Sequence, residues 1–149
     1  MGIHFEHGLD VRVAPEVTFA MLDDLGQTSK WLARCTQIDK LSQGPNQVGT
    51  KLRYHYRDGG RSGEMDGEIT ARAPNERLAF RYADRMMEVT VDFRVVPAVS
   101  GTRLVHAIDI EPKGFFPKLF SPLIRRQLPK QTISAMERLR ELLEGSKAV

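Results

Sequence analysis

Apolar and polar residues alternate along much of the chain, beginning near the N-terminus. Ile3, Phe5, Leu9 and Val11 fall on one face of the first segment, with polar residues on the other face. This period of two is typical of a strand that is buried on one side. The same alternation, or a short apolar stretch, recurs at 37–41, 51–57, 64–71, 78–82, 87–95 and 104–110.

Short turns separate these segments, and Asp58-Gly59-Gly60 is the strongest hairpin signal among them. Regular spacing of strands with short turns predicts an antiparallel meander. Because each strand is apolar on one face only, we expect the sheet to have one dry face and one wet face.

Two short helices are predicted after the first strand. Ala14-Pro15-Glu16 opens the first of them, since proline suits the first turn of a helix, and Gly26 is suited to end it. Thr28 can cap the second, which carries Trp31.

The C-terminal third changes to helical spacing, which predicts one long amphipathic helix that ends near Glu144-Gly145. Pro129 lies inside the pattern and removes a backbone donor, so we expect a kink near Arg125. The expected buried stripe comprises Leu119, Leu123, Ile124, Leu128, Ile133, Met136, Leu139, Leu142 and Leu143.

A sheet with one dry face and a helix with one apolar stripe bury both most simply by packing together. The sequence therefore predicts an α+β fold in which a curved antiparallel sheet of about six or seven strands wraps around the long C-terminal helix. The 149 residues suit a single domain spanning 1–149.

Charged residues on the wet face alternate in sign from strand to strand: 51–57 is basic, 64–68 acidic, 77–81 basic and 88–92 acidic. Neighbouring strands would then neutralise each other, each opposite pair contributing about 0.2–1 kcal/mol. The whole chain has 22 Lys and Arg against 19 Asp and Glu. We expect no nucleic-acid partner, because such a surface needs one uncompensated sign.

The sequence also bears on location. The N-terminal residues carry charge where a signal peptide would have a continuous apolar stretch, and no run approaches the roughly 18 apolar residues of a membrane span. The single cysteine, Cys35, can form no intrachain disulfide, and we interpret it as a buried, inert thiol. These observations predict a cytoplasmic protein.

A few polar side chains lie on the dry face, namely Tyr54, Tyr56, Tyr82, His7 and His106. Buried tyrosine and histidine need hydrogen-bond partners. They fit either a packed core whose hydroxyls reach its rim or a cavity with polar groups for a ligand. No further residues are spaced to complete a metal site, and no familiar catalytic or cofactor motif is present. We therefore expect no metal and no cofactor, and assign no catalytic residue.

The segment 113–126 combines phenylalanines with basic residues. Three interpretations remain open: a helix start whose phenylalanines close the core, a lid over a cavity, or transient contact with a membrane surface.

Short motifs with a family resemblance run through nearly the whole chain. They are Ala14-Pro15-Glu16-Val17, Lys30-Trp31-Leu32, Val48-Gly49-Thr50-Lys51-Leu52, Gly67-Glu68-Ile69, Pro74-Asn75-Glu76-Arg77-Leu78-Ala79-Phe80 and Gly101-Thr102-Arg103-Leu104. With the terminal helix, they resemble the START-like or helix-grip superfamily (SRPBCC), which includes polyketide cyclases/dehydrases, lipid-transport proteins and birch-pollen-type allergens. The resemblance implies a cavity that binds a small hydrophobic molecule such as a lipid, polyketide or aromatic compound. An aromatase/cyclase-type enzyme and a protein-interaction or co-chaperone-like module are its alternatives.

We expect the ligand to contact large side chains of the dry face and of the helix start. These are Trp31, Tyr54, Tyr56, Met65, Phe80, Tyr82, Met87, Phe93, His106, Phe116, Phe120 and Leu123.

Overall fold

The computed structural model describes residues 2–58, 60–113 and 121–147. Across these ranges, seven strands form one antiparallel sheet in the order β1-β7-β6-β5-β4-β3-β2. The strands are β1 (Ile3–Val11), β2 (Cys35–Lys40), β3 (Lys51–Asp58), β4 (Arg61–Ala73), β5 (Arg77–Ala83), β6 (Met87–Ala98) and β7 (Gly101–Pro112). Strands β2 to β7 form a meander in chain order. Strand β1 pairs with β7, so the first and last strands of the chain are neighbours at one edge of the sheet.

The helices are α1 (Pro15–Asp23), α2 (Thr28–Trp31) and the long C-terminal α3 (Ser121–Lys147), with a 3-10 turn at Leu25–Gln27. Pro15 occupies the first turn of α1, as predicted. Thr28 is the first residue of α2 and not its cap, and the cap position is held by Gln27 without a side-chain hydrogen bond. The preceding 3-10 turn is capped by Asp24, whose carboxylate accepts a hydrogen bond from the Gly26 backbone N–H. Among the described helices, none is both long and apolar enough to cross a membrane.

Helix α3 packs against the inner face of the sheet, which confirms the predicted curved sheet around a C-terminal helix. Leu128, Met136, Leu139 and Leu143 are at most 1% exposed. The helix continues through Pro129 and past Gly145 to Lys147, so the expected end at Gly145 is wrong.

The buried face of α3 also differs from the predicted stripe at two positions. Leu123 is 51% exposed and Ile133 is 39% exposed, whereas Thr132 and Ala135 are buried. Threonine and alanine contribute little to a hydrophobicity pattern. The predicted stripe is therefore rotated slightly about the helix axis relative to the face that is buried.

The outer face of the sheet carries the charge ladder that the alternating signs predict. Lys51 lies 3.2 Å from Glu68, Arg53 lies 3.6 Å from Asp66, and Arg81 pairs with Glu68 on one neighbouring strand and Glu88 on the other. These pairs are largely exposed, so each contributes little to stability. Together they neutralise the face locally.

One irregularity in β4 was not predicted. The pairing of β4 with β5 shifts between Ile69 and Ala71, and this bulge places Arg72 opposite the buried Leu78 on the inner side of the sheet. Arg72 donates two hydrogen bonds to the Asp23 carboxylate, at 3.0 and 2.8 Å. Partial burial opposes ionisation of Asp23, but the hydrogen bonds from Arg72 and from Asn46 hold its pKa below the ordinary value. The bulge thus ties the end of α1 to the sheet.

Candidate ligand-binding cavity

A cavity of about 230 Å³ lies between the inner face of the sheet, the two short helices and the start of α3. Nine of the predicted ligand residues line it: Trp31, Tyr54, Tyr56, Met65, Phe80, Tyr82, Met87, Phe93 and His106. Eight of them meet there because the period of two places alternate residues of β3 to β7 on one side of the sheet, and Trp31 comes from α2.

The other three predicted residues do not line this cavity in the described structure. Phe116 and Phe120 lie outside the described residues, as does most of the segment 113–126. Leu123 is 51% exposed, and the neighbouring Ile124 lines the cavity in its place. The prediction misses by one residue because the buried face of α3 is rotated relative to the predicted apolar stripe.

The cavity also has walls that the aromatic pattern did not single out. Val89, Val91, Ile108 and Ile110 continue the faces of Met87, Phe93 and His106, so strict alternation along β6 and β7 could have found them. Leu22, Thr28, Leu32 and Thr132 come from helices and the α2–β2 connection. Their place depends on how those elements dock, for which the sequence holds no local signal.

All three tyrosines of the chain form one aromatic cluster on the cavity wall. The ring centroids of Tyr54 and Tyr82 are 5.0 Å apart, and those of Tyr54 and Tyr56 are 6.4 Å apart. Offset and tilted contacts at such distances are favourable for aromatic rings.

Two glycines of β4 make room for these rings. Tyr56 lies across Gly63 and Tyr82 lies across Gly67 in the strand pairing. A Cβ atom at Gly63 would lie 2.7 Å from the Tyr56 hydroxyl, and one at Gly67 would collide with the ring of Tyr82. Glycine inside a strand often marks such a close approach. The glycines were visible in the sequence, but their role required the register.

Burial keeps Tyr82 and Cys35 neutral. It raises the pKa of Tyr82 well above its ordinary value, with smaller contributions from Tyr54 and Cys35. The Cys35 thiol beside it is buried, and desolvation raises its pKa to about 11. The interpretation of Cys35 as a buried, inert thiol fits this environment, because the thiolate is the reactive form.

His106 lies on the opposite wall, paired across the strands with His7 on one side and Phe93 on the other. Its ring stacks on Phe93 with centroids 4.4 Å apart. Burial, followed by the proximity of His7, lowers the pKa of His106 to about 4, and Asp92 offsets part of this shift. The imidazole is therefore neutral at pH 7.

Two buried nitrogens on this wall have no hydrogen-bond partner among the described residues, Trp31 Nε1 and His106 Nδ1. The indole of Trp31 meets the ring of Phe93 edge-on, with centroids 5.9 Å apart. Trp31 and His106 thus both contact Phe93, and both line the cavity. Within the described ranges, no three His, Cys, Asp or Glu side chains come together as a possible metal site.

A curved sheet wrapped around a C-terminal helix, with an apolar cavity between them, defines a helix-grip protein. The chain belongs to the family described as polyketide cyclase / dehydrase and lipid transport, whose model matches residues 2–144. The resemblance drawn from the short motifs is thereby confirmed. No functionally curated protein sequence matches the chain.

Solved structures share the fold at low sequence identity. The Zhui aromatase/cyclase from Streptomyces sp. R1128 superposes with a TM-score of 0.82 at 14% identity, covering 97% of this chain and 94% of that chain. A START superfamily protein from Mycobacterium smegmatis gives a TM-score of 0.78 at 17% identity, covering 95% and 97%. The di-domain ARO/CYC protein StfQ of the steffimycin biosynthetic pathway gives 0.79 at 13% identity, covering 100% of this chain and 53% of that chain. At these identities the likeness establishes the fold alone.

Proposed function

We propose that this protein binds a small hydrophobic molecule in the cavity between the sheet and α3. The observation that carries the proposal is the cavity itself, about 230 Å³ enclosed by aromatic and aliphatic side chains with a few polar groups. Concave, mainly apolar sites with a small number of polar groups are the usual form of ligand pockets. The family description supports the same class of function.

The protonation states on the cavity wall favour binding over acid–base chemistry. A general acid or base works best when its pKa lies near the operating pH. His106, with a pKa of about 4, is a weak base, and Tyr82, with a pKa well above its ordinary value, is a weak acid.

Binding can be measured directly because Trp31 is the only tryptophan of the chain and lines the cavity. A panel of fatty acids, aromatic compounds and aromatic polyketides should include compounds that change the Trp31 fluorescence saturably. Native mass spectrometry of the same mixtures should show complexes with one bound molecule. The absence of any bound species across the panel would contradict the proposal.

Adjacent positions at the start of α3 provide a matched pair of variants. Ile124→Phe adds volume inside the cavity, whereas Leu123→Phe adds it at a residue that is 51% exposed. We expect Ile124→Phe to weaken binding of the best panel compound at least tenfold, with Leu123→Phe within about twofold of the wild type. Equal effects of the two substitutions would place the binding site elsewhere.

A second candidate function is an aromatase/cyclase-type reaction. It is favoured by the tyrosine cluster and His106 on the cavity wall, and by the similarity to the Zhui aromatase/cyclase. The test is turnover of a poly-β-ketone, compared between wild type and a His106→Ala, Tyr82→Phe double variant. Unchanged turnover in the double variant would exclude those residues from the chemistry.

A further inference from the structure

The first half of α3 carries a line of exposed residues on the side of the helix opposite the buried Leu128. They are Leu123, Arg126, Lys130 and Ile133, and we call them the α3 outer stripe. Their spacing of three, four and three residues places them on one face, because an α-helix has 3.6 residues per turn. At a rise of 1.5 Å for each residue, the stripe is about 15 Å long.

The charge of this part of α3 is all of one sign. From 121 to 136 the helix carries Arg125, Arg126 and Lys130, and it carries no Asp or Glu. None of these three cations forms an ion pair with a described residue, whereas cations on the outer face of the sheet pair across strands. Acidic side chains are favoured in the first turn of a helix, since the helix dipole is positive there, and α3 has none in that turn. The start of α3 is therefore an uncompensated positive surface that favours an external anion.

Aliphatic side chains flank the cations of the stripe. Leu123 at one end is 51% exposed and Ile133 at the other is 39% exposed, with Arg126 and Lys130 between them. Single exposed aliphatic residues are ordinary, but these two share a helix face with unpaired cations. Nucleic-acid surfaces combine cations with aromatic rings on which bases stack, and this stripe has none. A lipid surface offers anionic headgroups and an apolar boundary together, which is the combination that basic amphipathic helices bind.

We propose that the first half of α3 docks on an anionic lipid surface through the α3 outer stripe. In the docked state, Leu123 and Ile133 enter the boundary between headgroups and acyl chains. Arg126 and Lys130 lie between them at the level of the headgroups and attract the lipid phosphates. The sequence left membrane contact open for 113–126, and the described part of the chain assigns that contact to the outer stripe.

Docking in this way places the cavity close to the lipid. Ile124, Gln131 and Thr132 line the cavity from the other side of the same helical segment. The stripe and the cavity are therefore separated by the diameter of one helix, roughly 10 Å. The docking proposal stands independently of the proposed function, because the stripe is exposed whether or not the cavity holds a ligand. If both hold, the bilayer is the nearest source of a hydrophobic ligand.

Flotation with lipid vesicles measures the docking directly. The full chain is mixed with vesicles of phosphatidylcholine alone, or of equal parts phosphatidylcholine and phosphatidylglycerol. Each Lys or Arg near an anionic surface raises the partition coefficient about fivefold, so the two cations of the stripe predict at least about 25-fold tighter binding to the anionic vesicles. Raising the salt from about 0.1 M to about 1 M should remove most of this preference, because the Debye length falls from about 10 Å to about 3 Å.

Two double variants with the same change in net charge test where the contact lies. Arg126→Gln combined with Lys130→Gln should lower the partition coefficient on anionic vesicles about 25-fold. Arg94→Gln combined with Arg103→Gln removes two exposed cations from the outer face of the sheet, whereas α3 packs on the inner face. This control should stay within about twofold of the wild type, since distant charges are screened. Equal losses in the two variants would mean that net charge alone controls binding, and would overturn the proposal.

The apolar part of the contact has its own matched pair of variants. Leu41 is 50% exposed against 51% for Leu123, so Leu41→Ser is the control for Leu123→Ser. Leu123→Ser should weaken binding to anionic vesicles at least about fivefold, because it removes an aliphatic side chain that the lipid would bury. Leu41→Ser should bind like the wild type. Thermal unfolding of both variants should remain close to that of the wild type, since both side chains are on the surface.

The outcomes keep this proposal separate from the proposed function. Anionic vesicles that bind no more tightly than neutral ones would overturn the docking. Equal binding of Leu123→Ser and Leu41→Ser would also overturn it, because a partner recognised by charge alone, such as a DNA duplex, would then fit the stripe better than lipid. Ligand binding in the absence of vesicles tests only the cavity, and its failure would leave the docking result unchanged.

Discussion

Burial decides the protonation of the cavity residues, and His106 shows the effect most clearly. The ring is enclosed between Phe93, its neighbour His7 and the surrounding strands, and its pKa falls to about 4 from an ordinary value of 6.5. Because the folded state disfavours the protonated imidazole, His106 links the stability of the whole domain to pH.

The expected result is a loss of stability in acid. His106 binds its proton more weakly in the folded state, so its contribution is complete above pH 6.5 and is lost as the pH falls from 6.5 towards 4. The difference between a pKa of 6.5 and one of about 4 corresponds to roughly 3 kcal/mol at 1.36 kcal/mol for each pKa unit.

Urea denaturation between pH 7 and pH 4 measures this contribution. The free energy of unfolding should fall more steeply with acid in the wild type than in His106→Gln, which cannot titrate there. The carboxylates and the other histidines titrate in both proteins and cancel in the comparison. Parallel curves would mean that His106 is not buried as described.

At the scale of strands and helices, the sequence predicts periodic elements well and their exceptions poorly. Alternation along β3 to β7 was sufficient to place eight cavity residues on one face. The alternating sign of the charges predicted pairing between neighbouring strands, as in Lys51–Glu68. The bulge that turns Arg72 inward had no such signal, because it depends on how β4 pairs with β5. The sequence placed Leu123 at the cavity, but Ile124 lies there in its place. The reason is similar, since helical spacing does not fix the rotation of a helix against its sheet.

The close contact between β4 and β5 gives a prediction at this scale. In Gly67→Ala, the new methyl group would overlap the ring of Tyr82 and lie 3.1 Å from the Arg81 carbonyl oxygen. Tyr82 is buried and its ring also contacts Tyr54 and Phe80, so it can yield only by breaking these contacts and moving into the cavity. Overpacking of this kind costs about 1–3 kcal/mol, so the unfolding free energy should fall by that amount.

Gly145→Ala is the matched control for that variant. Gly145 lies in α3 with nothing within 4 Å of an added Cβ atom. Alanine is favoured over glycine in a helix by about 1 kcal/mol, so this change should stabilise the protein. If Gly67→Ala is as stable as the wild type, the described contact with Tyr82 is wrong.

At the scale of the whole molecule, the two faces of the sheet have separate roles. The outer face pairs its own charges from strand to strand, which accounts for its alternating charge pattern. The inner face has a core around Leu139 and Leu143, and a second cluster around Ile108, Ile110 and Leu128. The cavity lies among residues of both clusters. Sequence alone could not show this space, because a packed core and a lined cavity use the same residue types.

Whether that space is open is therefore the central question, and a crystal pressurised with xenon answers it most directly. Xenon enters dry apolar cavities of this kind. We predict a xenon peak among Trp31, Tyr82 and Phe93 in the wild type, with lower occupancy in Ile124→Phe and unchanged occupancy in Leu123→Phe. A crystal without xenon there, in which side chains fill the space between the sheet and α3, would contradict the account.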